Sequence, residues 1–172
     1  MHFLLAVLLV ADLPIAEPTH PLWLLERTNG AWVTARTFGT SAYKSYTANT
    51  TLAVTCSGPR AILRLVVDVK ALGFDSDPFE GPKPPKSWPL LLTTGNGTAV
   101  SHDVAAFWGV AALYQVGSQF VFETTVPPVE LAKWLADETR GKVVHGQFGE
   151  MTFMFTWPQN VEALRMACKP AK

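Results

Sequence analysis

At 172 residues the chain is long enough to bury an ordinary core. Its 48% apolar against 16% charged residues exclude a disordered chain. Lys+Arg and Asp+Glu balance at 14 each with no basic run, which excludes the clustered cations that a nucleic-acid backbone needs.

The chain opens on an apolar run from Phe3 to Ala11 that Pro14 closes early. A membrane-spanning helix needs about 20 such residues, so residues 1–16 read as a secretory signal peptide and residues 17–172 as one domain. No Lys or Arg precedes the run, and cleavage is expected after Ala11 or Ala16. The alternative is a buried N-terminal strand or helix of a cytosolic protein. Cys56 and Cys168 bear on the same choice, because an even cysteine count in an exported chain suggests a disulfide. Leu52, Val54 and Cys56 share one strand face, and Cys168 ends an apolar helical stripe. Both thiols are therefore expected to point inward and pair.

Pro21 to Arg27 reads as a short helix or strand, and Ala31 to Phe38 as a strand after the turn at Asn29-Gly30. Gly39 to Ala48 is polar and reads as a loop. Thr50 to Cys56 and Ala61 to Lys70 form the clearest hairpin, joined by Ser57-Gly58-Pro59-Arg60. In its second strand Leu63, Leu65, Val67 and Val69 face one way, and Arg64, Asp68 and Lys70 the other. Gly73 to Ser87, with four prolines among charges, reads as a solvated loop of functional length. Asp75 and Asp77 within it are too few for a calcium loop. Trp88 to Thr94 and Thr98 to Asp103 read as strands about a Gly95-Asn96-Gly97 turn. Val104 to Val116 is apolar, and period alone does not decide between strand and helix. After a strand at Gln119 to Thr125, Pro127-Pro128 opens a helix running through Glu138 with Leu131, Trp134 and Leu135 inward; Gly141 closes it.

Lys142 to Gln147 reads as a short strand before the closing element, Thr152 to Cys168 (TFMFTWPQNVEALRMAC). Phe153 and Phe155 alternate with Thr152, Met154 and Thr156, as in a strand with one buried face. Trp157, Val161, Leu164 and Cys168 then form one helical stripe, and Thr156 with Gln159 reads as a capping box with Pro158 in the first turn. The expected fold class is α+β: an antiparallel β-sheet or sandwich with two short helices near the C-terminus.

Ser101-His102-Asp103 holds the residue types of a hydrolase triad, but neighbours on a strand point to opposite faces, and no GxSxG elbow is present. His102, His145 and nearby carboxylates lack metal-ligand spacing, so no metal and no cofactor is expected. Six tryptophans are many for this length. Trp134 and Trp157 belong on buried helix faces, whereas Trp32, Trp88 and Trp108 could offer a stacking surface to a sugar or a partner protein. Asn49-Thr50-Thr51 and Asn96-Gly97-Thr98 match the N-glycosylation pattern.

The closing segment resembles the C-terminal signature of small exported bacterial envelope proteins, namely the type VI secretion-associated periplasmic accessory proteins and the invasion-associated locus B family. Phe153, Phe155, Ala163, Leu164 and Cys168 carry the resemblance, with Cys56 in LAVTC as the earlier cysteine. The glycine those families carry at the strand-to-helix turn is Trp157-Pro158 here. The resemblance implies a periplasmic or secreted, non-enzymatic accessory protein, secretion-system or virulence associated, that binds a protein or cell-envelope component. With the signal removed, no integral membrane segment is expected. The alternative is a small secreted hydrolase using His102 or His145.

Overall fold

The structure, a computed structural model, describes residues 24–27, 33–57, 60–79, 87–94, 97, 99–110, 118–136, 139 and 141–168. The proposed leader and Trp32 lie outside them. Strand β2, Val33–Tyr43, organises the architecture because its one edge serves two partners. Its first half pairs with β1, Leu24–Arg27, from Arg27↔Val33 to Leu24↔Arg36. Its second half, Gly39 to Ala42, pairs with β9, Met151–Thr156. Around the other side run β3 (Tyr46–Ser57), β4 (Arg60–Val67), β7 (Ser118–Val126), β6 (Val100–Val110), β5 (Ser87–Thr94) and β8 (Val143–Phe148), which meets β9. The sheet therefore closes on itself: eight antiparallel strands form a barrel, and β1 lies outside the ring.

This closure corrects the expected α+β class. The protein is mostly β, neither an open sheet nor a sandwich, and its helices are too short to form a layer. They are α1 (Val69–Leu72), α2 (Pro128–Trp134) and α3 (Glu162–Ala167). Hydrophobic period assigns faces to strands, but says nothing about whether the first and last strands meet. At that seam β2 and β9 approach closely. A Cβ built on Gly39 would fall within contact of the Met154 carbonyl oxygen and 2.5 Å from Phe155 Cδ1.

The polar stretch Gly39 to Ala48, read as a loop, is instead the end of β2 and the start of β3, with Ser41 buried, Thr40 and Thr47 outward and Tyr46 exposed at the strand end. Lys44, at φ 53°, occupies the tight turn between them. Its polarity comes from outward positions and a hairpin tip. The undecided run from Val104 is strand through Val110. α2 stops at Trp134, short of Glu138. α3 begins at Glu162 without a side-chain cap, because Thr156 still belongs to β9; the expected capping box at Thr156 and Gln159 is absent.

Inside, Leu63, Leu65, Phe120, Phe122, Phe153 and Phe155 are fully buried, and the void lined by Trp134 and Trp157 holds only about 10 Å³. The barrel is thus a packed core with no ligand cavity in that region. α2 and α3 cover one end. Arg165 Nε donates to the Leu135 carbonyl at the C-terminus of α2 (2.7 Å), and Cys168, at the end of α3, is bonded to Cys56 near the end of β3. α1 and Phe74 cover the other end, where Phe74 meets Tyr43, Phe120 and Phe148. Arg64 and Glu123 pair across the outer face of β4 and β7 (2.6 Å). The interior is apolar, whereas the lumen of a membrane-spanning barrel is polar. Among the described residues, no helix is long and apolar enough to cross a membrane.

Candidate binding groove

With its interior filled, the barrel offers a ligand its outer wall. A groove of about 490 Å³ crosses β2, β9, β8 and β5, with Thr47 of β3 and Ala99 at its ends. The pairing register builds its floor. One row of outward residues runs Thr40↔Met154, Met154↔His145, His145↔Thr93. The next runs Thr47↔Ala42, Ala42↔Thr152, Thr152↔Gln147, Gln147↔Leu91. These side chains point outward because their neighbours Ser41, Phe153, Val144, Phe148, Leu90 and Leu92 point into the core, and a strand alternates.

The chemistry of this wall is uniform. Four threonines, Gln147 and His145 line it with Met154 and Leu91, and among the described residues no Asp, Glu, Lys or Arg does. Gln147 Nε2 donates to the Gly149 carbonyl (3.0 Å), which fixes the amide and leaves its oxygen as an acceptor. Among the described residues, none of the four threonine hydroxyls makes a side-chain hydrogen bond. Met154 is 49% exposed and Leu91 38%, so apolar surface alternates with hydroxyls. A volume of this size suits a small ligand.

The histidines weighed as catalytic residues do not come together. His145 is outward on β8, in the groove. His102 is buried on the inner face of β6, with Nε2 2.8 Å from Glu130 Oε1 of α2 and its ring edge-on to Trp134 at 5.9 Å. Neither of these two polar atoms makes an aligned hydrogen bond among the described residues, so their approach is a charge-and-dipole contact. The contact therefore ties α2 to the barrel. Ser101 and Asp103 face outward on either side of His102, and Asp103 accepts a hydrogen bond from the Ser87 hydroxyl. The triad residue types are split between the two faces of one strand. Among the described residues, no group of His, Cys, Asp and Glu is placed to hold a metal.

Of the tryptophans expected as a stacking surface, Trp88 and Trp108 are described, and they lie at the barrel end covered by α1. Trp108 is partly buried, edge-on to Phe120 at 5.6 Å with Lys70 Nζ above its ring. Trp88 is 40% exposed and packs on Phe148 at 6.1 Å. Neither lines the groove. The groove residues Thr40, Thr47, Thr93, Gln147, Thr152 and Met154 went unread in the sequence. Their one signal was the lack of charge at the outward positions of β8 and β9.

No protein-family model, no curated protein and no solved structure matches this chain.

Proposed function

We propose that this protein is an exported, disulfide-bonded binding protein, non-catalytic, whose ligand face is the groove across β2, β9, β8 and β5. The groove itself carries this reading. It is a concavity of about 490 Å³ on a barrel with a filled core, and among the described residues nothing engages its threonine hydroxyls and no carboxylate lines it to orient His145 as a base. The Cys56–Cys168 bond supports an oxidising compartment, periplasmic or extracellular, since such bonds rarely persist in a cytosol. The expected partner is a protein or other cell-envelope component. Kinship with the secretion-associated or invasion-associated envelope families belongs to the same proposal and rests on the closing strand, helix and cysteine alone.

The test is capture from envelope extracts with the oxidised protein, quantified by mass spectrometry, against Thr152→Arg. That substitution fills the groove from an outward position and leaves the core untouched. Selective loss of one captured species in the variant is the expected result. Equal capture by both proteins would remove the groove from the function, and ester hydrolysis abolished by His102→Ala would replace a binder with an enzyme.

A further inference from the structure

We infer that the groove takes a neutral carbohydrate, a segment of roughly two or three hexose rings by its volume. This assignment rests on the binding role proposed above and deepens it. The lining excludes other chemistries in turn. A charged ligand, whether phosphate, nucleotide or uronic acid, would leave water for a site where, among the described residues, no Asp, Glu, Lys or Arg meets it, at a desolvation cost with little to offset it. A wholly apolar ligand would strip water from four threonine hydroxyls and the Gln147 amide oxygen without replacing those hydrogen bonds.

An extended peptide is recognised chiefly through main-chain hydrogen bonds to a free strand edge. Here β8 is paired on both sides, with β5 and β9, and β9 with β8 and β2. The main chain of the floor is thus engaged, and recognition falls to side chains. Sugar hydroxyls both donate and accept, as threonine hydroxyls do. The C–H faces of a pyranose match the half-exposed Met154 and Leu91 set between them. A neutral, polyhydroxylated ligand with apolar faces satisfies every group that the groove presents.

The experiment is an NMR titration of the oxidised, isotope-labelled protein with cellotriose, maltotriose and tri-N-acetylchitotriose, each run against trigalacturonate and an end-blocked tetra-alanine peptide. At least one neutral trisaccharide is expected to shift, saturably, the amides of residues 40–42, 145–147 and 152–154, and trigalacturonate is expected to leave them in place. Thr152→Arg should weaken that binding about tenfold or more, the scale of one lost polar partner. Thr125→Arg, outward on the far wall, should not change it. No shift with any of the three sugars, shifts confined to another face, or groove shifts with the peptide alone would each overturn the carbohydrate assignment. If groove-dependent capture from envelope extracts persists while none of the sugars competes, the binding role stands and the ligand class falls.

Discussion

Thr37 shows how much one hydroxyl decides inside a filled barrel. It is 1% exposed, and its Oγ1 has no hydrogen-bond partner among the described residues. A buried hydroxyl without a partner costs about 1–3 kcal/mol, so Thr37→Val, which keeps the shape and removes the polar atom, should raise stability by about 1 kcal/mol. Urea denaturation measures it, and a loss would show that Oγ1 does have a partner. The contact of His102 with Glu130 is the opposite case. Both groups are largely buried, so removing one leaves the other unmet. Glu130→Ala and His102→Ala should each cost about 1–3 kcal/mol. The double variant should fall short of their sum, because the two act as a unit. Strict additivity in the double-mutant cycle would show that the 2.8 Å contact contributes no coupling.

Two elements hold the C-terminal part of the described chain to the barrel. β9 closes the ring through its approach to Gly39, where any Cβ meets backbone and an aromatic ring. Gly39→Val should therefore destabilise by about 1–3 kcal/mol or more. The same substitution at Gly73, where a Cβ would have open space, should cost only the strain of its left-handed backbone. Equal effects at the two positions would mean that the seam relaxes freely. α3 is held by the Cys56–Cys168 bond across a sequence separation of 112. In the chain-entropy model a loop of that length stabilises by about 4–5 kcal/mol. Cys56→Ser and Cys168→Ser should be equally destabilising and the double variant no worse, since either change breaks the same bond. Labelling of two free thiols in the denatured, unreduced protein would remove the bond.

At the scale of the molecule the decisive feature is that the barrel is full. An eight-stranded barrel either fills its interior with side chains or encloses one small ligand, and here Phe120, Phe122, Phe153 and Phe155 fill it. Leu65, fully buried and beside the small void under Trp134 and Trp157, tests this directly. Leu65→Ala should cost about 2–5 kcal/mol, and native protein should bind an apolar fluorophore no better than a barrel without a lumen does. Strong uptake of the dye by the wild type would place a ligand site inside.

The sequence by itself determined the faces. Alternation in Leu63, Leu65, Val67 and in Phe153, Phe155 marks which side of each strand is buried, because a pleated strand exposes every second residue. The inward stripe through Trp157, Val161 and Leu164 and the pairing of Cys56 with Cys168 were legible for the same reason: burial is a local demand on residue type. What only the tertiary structure decided is who neighbours whom. That β9 pairs with the second half of β2, that the sheet closes, and that Gly39 to Ala48 is a hairpin arm depend on contacts between residues far apart in the chain. No local period encodes these contacts. The groove belongs to that second kind. Thr40, Met154, His145 and Thr93 are unremarkable outward residues on four separate strands, and only the register of the closed barrel sets them in one row.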